Sequence, residues 1–311
     1  MHQHVLPEIP RILGAQREHA GETINAERPD IRAALLPPPG TYLLGLAFLG
    51  RAVDFRDNDG NRAPLSLDGG IGGLYLGLGH VFEAEILGGR VGALLFAGYG
   101  RACLRVPELA RSQCQNGFAD SFAEVLWSRR IAGFALGGPA PDDPRRQWIP
   151  YGLTIAAGLG AVLPTGRYDR TDIAPLGLNT LAIVPSVAAT WVSPPWLADG
   201  TEVSLRAYHV TYGRNTATDY QAGDMVVLDW AISERIGRVQ LGPAGSFVRQ
   251  LEPDRQAGRR GPSTDVTALG AVLALDLPEA GMFLSLKVLS DVQATWRLRQ
   301  DRIGLRIGIR L

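Results

Sequence analysis

From Gly40 to the C-terminus, apolar residues recur at every second position rather than every third or fourth. The clearest stretch is the last one. Ile303, Leu305, Ile307, Ile309 and Leu311 alternate with Arg302, Gly304, Arg306, Gly308 and Arg310. A period of two puts one set on each face of a strand. The same alternation sets Leu74, Leu76 and Leu78 against Gly73, Tyr75, Gly77 and Gly79, and Val203, Leu205 and Ala207 against Glu202, Ser204 and Arg206. It also sets Met282, Leu284, Leu286 and Val288 against Ser285 and Lys287. The pattern predicts twelve strands, near residues 40–55, 67–82, 90–105, 119–131, 147–163, 181–193, 202–213, 222–236, 238–251, 265–277, 282–292 and 297–311.

Alternation alone fits any half-buried antiparallel sheet. The connections add direction. Glu83–Gly89, Ser193–Thr201, Ile236-Gly237 and Pro278–Gly281 are short, and the fourth connection, which runs through Pro139–Arg146, is the exception on their side. Arg56–Ser66, Pro107–Phe118, Pro164–Thr180, Arg214–Ala222 and Glu252–Thr264 are longer and polar. Short turns at one end and long loops at the other are the habit of outer-membrane barrels. Strands of roughly 11–16 residues exceed the usual 5–6 of soluble sheets and suffice to cross a bilayer at a tilt. An even count returns both chain ends to one side. The expected fold is therefore all-β: a transmembrane up-and-down antiparallel barrel spanning 40–311, preceded by an N-terminal arm over 1–39.

That arm carries Arg, Glu and Ala in weakly helical spacing over Ile12–Leu36 and ends at Pro37-Pro38-Pro39, which neither a helix nor a central strand tolerates. It packs in the lumen or lies on the periplasmic side; the sequence allows both. His2, Gln3, His4 and Pro7 do not form the apolar segment of a signal peptide, so an outer-membrane barrel implies numbering that starts after a removed signal. Cys103 and Cys114, the only cysteines, either pair in an oxidising compartment or remain thiols.

Composition narrows the partners. Thirty-one basic residues balance 31 acidic ones, which argues against a nucleic-acid binder. Hydrophobic residues make up 46% of the chain, yet no run of 18 apolar residues spans a bilayer as a helix, leaving the closed barrel as the membrane solution. Aromatic residues are only 7%, thin for girdles at both interfaces, although Trp127, Trp148, Trp191, Trp196, Trp230 and Trp296 favour predicted strand ends.

Four segments resemble one family. They are Leu36-Pro37-Pro38-Pro39-Gly40-Thr41-Tyr42; Leu163-Pro164-Thr165-Gly166-Arg167-Tyr168-Asp169 with Gly177-Leu178-Asn179; Thr218-Asp219-Tyr220-Gln221-Ala222-Gly223-Asp224 with Leu228-Asp229; and Gln250-Leu251 with Asp254 and Gly258. In this order they resemble the outer-membrane barrel family associated with the meta-pathway of phenol degradation. The departures are Ala222 where that family favours serine, and the final Leu311 where barrels commonly end on an aromatic residue. The resemblance implies an outer-membrane channel for passive uptake of small hydrophobic or aromatic compounds. The motifs themselves read as loop structure: Pro164 and Gly166 stop a strand, and Gly223 is expected to take a positive φ.

Candidate chemistry is sparse. There is no Gly-x-Ser-x-Gly elbow, and Ser246 in Gly245-Ser246-Phe247 is a poor substitute. His80 and His209 are the only histidines in predicted strands, and an enzyme would bring one of them within hydrogen-bond reach of a hydroxyl. His2 and His4 read as solvated rather than as metal ligands, and Asp142-Asp143 as part of a turn. No catalytic residue, metal or cofactor is expected. The basic face is the best functional clue: Arg302, Arg306 and Arg310, joined by Arg206 and Lys287, are expected to line the lumen, with Asp229 facing it or paired with an arginine. Free, they favour anionic solutes; paired with Glu202, Asp291 or Asp301, they merely fill the interior. The partners implied are outer-membrane lipid and small solutes. The alternatives are a structural barrel with a plugged lumen and a soluble lipid-binding barrel.

Overall fold

The computed structural model describes residues 31–64, 67–131, 149 and 151–311. Within them the chain forms β1 (Gly40–Arg56), β2 (Asp68–Ile86), β3 (Gly89–Val106), β4 (Arg111–Arg130), β5 (Gly152–Leu163), β6 (Ala182–Val192) and β7 (Thr201–Tyr212). It continues through β8 (Tyr220–Gln221), β9 (Met225–Ile236), β10 (Val239–Gln250), β11 (Arg255–Gln256), β12 (Arg259–Arg260), β13 (Asp265–Leu277), β14 (Met282–Thr295) and β15 (Arg297–Arg310). Twelve of these close into one barrel, in the order β1-β15-β14-β13-β10-β9-β7-β6-β5-β4-β3-β2. The short β8, β11 and β12 form a separate three-stranded sheet in the loops. The first and last strands seal the barrel antiparallel, from Tyr42 opposite Arg310 to Arg56 opposite Arg297. No open edge remains in the barrel, as an apolar solvent requires.

The alternation decides which face points where. Leu76, Leu159 and Val187 are 57%, 59% and 62% exposed on the outside, whereas Ser204, Asp229 and Arg206 are 0%, 1% and 3% exposed within. An apolar outside and a polar inside invert the soluble-protein rule and match a bilayer as solvent. The end carrying the two-residue turns Leu87-Gly88 and Gly237-Arg238 also holds Gly40 and Leu311, whose amide reaches the Thr41 carbonyl at 2.9 Å. We call this the turn end and the opposite one the loop end.

Two expectations need correction. Residues 107–118 are not a long loop: β3 and β4 meet across a tight turn at Pro107–Leu109, and strand structure resumes at Arg111. Cys103 and Cys114 are cross-strand neighbours in that ladder and are joined by a disulfide. Gly223 does not adopt a positive φ. A Cβ there would collide with the Glu252 carbonyl, so glycine is needed for close backbone approach. Residues 1–30, Asp142-Asp143, Trp148 and most of the connection between β4 and β5 lie outside the described residues.

Candidate functional site

A cavity of about 410 Å³ lies inside the barrel. Leu46, Tyr75, Phe96 and Phe122 from β1–β4 contribute to its apolar wall, and Ile31, Leu36 and Pro37 border it from the N-terminal segment. Two charged pairs reach it, Arg206 with Glu124 and Arg32 with Asp276, and Arg306 and Arg310 also border it. Arg206 on β7 donates to the Glu124 carboxylate at 2.5 Å and to the Ser186 hydroxyl at 2.9 Å, and its guanidinium lies 4.9 Å from the Tyr208 ring centroid. A buried pair of this kind is held by its geometry and extra hydrogen bonds rather than by charge alone.

At the turn end the lumen is crossed by a strap, residues 31–34, that leads into the three prolines. Arg32 sits at φ 56° and binds Asp276 through two bonds of 2.7 and 2.6 Å, with a third to Gln240 at 3.0 Å. Arg235 grips the same Asp276 at 2.7 Å, and Gln240 joins Glu202 at 2.9 Å and Ser233 at 2.8 Å. The strap's backbone is received by the wall as well. The amides of Arg32, Ala33 and Ala34 donate to Glu202, Ser204 and Thr190, and Ser128 donates to the Ala34 carbonyl. Alternating Ser and Thr on the inward faces of β4, β6 and β7 thus supply the partners that a non-helical backbone needs at membrane depth.

At the loop end the closure is built from loops. Ile173, in the connection between β5 and β6, packs with Phe55, Leu104, Val106, Trp296 and Leu298. Asp120 on β4 holds that connection at both shoulders, accepting from the Gly166 amide at 2.8 Å and the Leu178 amide at 2.7 Å. Asn215 then ties it to the next loop through Asn179. Asp254 accepts from the Tyr220 hydroxyl, from the Gly223 amide at 3.0 Å and from Gln250 at 2.6 Å. The sequence motifs around Pro164, Tyr220 and Gln250 therefore meet here as interlocking loop anchors. Asp169, fully exposed at the loop's tip, accepts from the Thr171 amide and hydroxyl. Those bonds, then Arg170 and Arg167, hold its carboxyl below the usual carboxylate range.

The residues singled out from the sequence fall as follows. Arg206, Asp229, Lys287 and Arg302 are buried on the inward face, Arg306 is half-buried there, and Arg310 is exposed at the turn-end rim, donating to the Pro39 carbonyl. Asp229 stands opposite Arg206 in register, and Arg302 pairs with Asp291 at 2.7 Å. These residues do not gather at one point but are spread around the wall. Sequence reasoning missed Arg32, Glu124, Gln240 and Asp276, whose partners come from distant strands, and Asp120, one of several polar residues within its strand. From the sequence, Glu202 and Asp291 are legible only as neutralising partners of the arginines.

Both strand histidines have a hydroxyl neighbour on the outward face. His80 Nδ1 lies 3.0 Å from the Thr41 hydroxyl, and His209 Nδ1 lies 3.3 Å from that of Thr211. Thr211 also donates to Asp224 at 3.0 Å, so its proton is shared with a stronger acceptor than the imidazole. The distance expected of an enzyme is met at both histidines, and at His209 the hydroxyl is also held by Asp224.

A family model described as "Putative MetA-pathway of phenol degradation" matches residues 52–307. No curated protein sequence matches the chain. The fold is shared with the COG4313 outer membrane channel from Pseudomonas putida F1, at a TM-score of 0.72 and 14% identity over 91% of this chain and 100% of that one. The beta domain of the Bordetella autotransporter Brka aligns at a TM-score of 0.53 and 14% identity, over 88% of this chain and 100% of that one. The transport unit of the Escherichia coli autotransporter AIDA-I aligns at 0.51 and 10% identity, over 95% and 98%. At these identities the likeness is one of architecture: a closed outer-membrane barrel.

Proposed function

The chain belongs to the family described as putative MetA-pathway of phenol degradation and is an outer-membrane β-barrel, and from that premise we propose that it is a channel for passive uptake of small hydrophobic or aromatic compounds. The observation that carries this reading is the cavity itself, an apolar and aromatic chamber inside a wall otherwise studded with polar groups. A preformed apolar pocket with few polar groups suits a compact aromatic solute. The inward charges support weak rather than strong ion preference. Arg206 and Arg302 each carry a carboxylate partner, so we read them with Asp229, Lys287, Arg306 and Arg310 as a largely neutralised lining. Uptake of a radiolabelled hydroxylated aromatic by porin-deficient cells tests the proposal. Cells carrying the protein take it up faster than cells carrying an empty vector, while a sugar of similar size gains little. Equal uptake of the aromatic with and without the protein sinks it.

The strap favours a second reading, a structural barrel with a plugged lumen. The two readings part on whether the strap yields. A channel shows conducting events in planar bilayers that become more frequent when Arg32 is replaced; a structural barrel shows none in either form.

A further inference from the structure

The outer face of the wall carries arginines that close no ion pair among the described residues. Along β3 the outward positions run Ala93, Leu95, Ala97, Tyr99, Arg101, Cys103 and Arg105. Tyr99 and Phe118 stack edge to face at 5.6 Å, an aromatic pair of the kind that contributes to the belt at a membrane interface. Arg101 stands two residues above that belt, toward the loop end, and Arg105 four residues higher still. On β1, Arg51 faces Gly70 of β2, which in turn faces Cys103 of β3, so no side chain on β2 separates Arg51 from the disulfide. Strand spacing of about 4.8 Å and a rise of about 3.3 Å per residue place Arg51, Arg101 and Arg105 at the corners of a triangle roughly 12 Å on a side.

All three are exposed, and among the described residues none makes an ion pair. Arg101 touches only the Cys103 sulfur, at 3.3 Å. Asp301 and Asp68 lie opposite Arg51 and Arg105 in register, but Asp301 accepts from Ser290 and neither carboxylate closes on its arginine. The interior is different: Arg32, Arg206, Arg235 and Arg302 all hold carboxylates. The disulfide ties β3 to β4 at the midpoint of the triangle's Arg101–Arg105 side and braces that side of the cluster.

Three guanidinium groups at headgroup depth, on strands of fixed spacing and outnumbering the two carboxylates beside them, match phosphates presented from the bilayer surface. We propose that Arg51, Arg101 and Arg105 form an outer-leaflet binding site for a phosphorylated glycolipid, gripping its phosphates while the acyl chains lie along Leu49, Leu74 and Leu95. The proposal is independent of whether the lumen conducts.

Native mass spectrometry of the full-length, detergent-solubilised protein titrated with bis-phosphorylated lipid A tests it. The wild type is expected to retain lipid A. The R51Q/R101Q/R105Q variant is expected to lose about a hundredfold in affinity, from roughly fivefold per arginine. Dephosphorylated lipid A binds both proteins weakly, and inorganic phosphate in tenfold excess does not displace the lipid. Heat-modifiable gel migration reports that the variant is folded, and R249Q, on another part of the wall, leaves binding unchanged. Equal lipid A affinity in wild type and triple variant overturns the proposal. So does indifference to the phosphates, or displacement by inorganic phosphate, which would mark a free-anion site instead.

Discussion

The two mouths of this barrel are closed by opposite chemistries. The turn end is crossed by four residues tied chiefly by hydrogen bonds, a guanidinium in a carboxylate fork and backbone amides on wall hydroxyls and a carboxylate, with Ile31, Ala33 and Ala34 packed only against small patches of the wall. The loop end is filled by Ile173, Trp296 and their apolar neighbours and locked by carboxylates that bind two loop shoulders at once. Undocking the strap exchanges hydrogen bonds for water at a net cost of about 0.5–1.5 kcal/mol for each neutral bond. Opening the loop end exposes apolar surface at about 25 cal/mol per Å² and breaks several anchors together. A polar closure held by one short segment is the one suited to come and go.

The largest expected effect follows from removing Arg32. Its two bonds to Asp276 are charge-assisted and contribute about 3 kcal/mol together, more than a hundredfold in the ratio of docked to undocked strap. Asp276 keeps Arg235, so the wall is not left with a bare buried charge. Arg32→Ala is therefore expected to raise open probability in single-channel recordings while the barrel remains folded. Unchanged recordings would erase the distinction between the mouths.

At the loop end, Asp120→Ala leaves the amides of Gly166 and Leu178 without their acceptor, at about 1–3 kcal/mol each. The expected outcome is a lower midpoint for heat-induced gel migration and faster proteolysis within residues 164–181, with little change in conductance through an already undocked strap. A smaller loss is expected for the double replacement of Cys103 and Cys114 by serine. An 11-residue closure contributes about 3 kcal/mol at most, and less here because the tight turn already holds the two strands in register. Urea denaturation of the oxidised and serine forms measures the difference.

Much of this architecture is legible in the sequence. The period-two alternation locates all twelve barrel strands, because a lipid-facing position tolerates little but apolar side chains. It falters where that constraint ends. Arg111 to Gln115 is polar on both faces because the β3–β4 hairpin extends beyond the apolar band, and so it reads as loop although it is strand. The motifs around Pro164, Tyr220 and Gln250 are visible as turns, but their shared anchors are not: Asp254 gathers Tyr220, Gly223 and Gln250 only in three dimensions. The strap is the extreme case. Arg32 and Asp276 are 244 positions apart, and neither residue is unusual in its own neighbourhood. Local pattern carries the wall, whereas pairings across the lumen depend on closure.

The smallest effect concerns the tip of the loop that Asp120 anchors. Asp169 is fully exposed and accepts two bonds from Thr171, which lower its pKa in the folded loop. A depressed carboxyl pKa stabilises the folded form fully above the unfolded value near 3.8, and the contribution is lost as pH falls through the folded value. The Thr171 amide of the wild type is thus expected to keep its protection from hydrogen exchange, measured against the intrinsic rate at each pH, at pH 5 and to lose it only below the ordinary carboxylate range. Asp169→Asn keeps an acceptor but removes the charge, so the Thr171 protection factor, its exchange rate relative to an unprotected amide at the same pH, becomes flat across that window. The shoulders at Gly166 and Leu178, held by Asp120 rather than by the tip, are expected to exchange alike in both proteins. If protonating Asp169 instead loosens the shoulders too, the loop end is not a set of separate anchors, and its contrast with the single-strap mouth narrows accordingly.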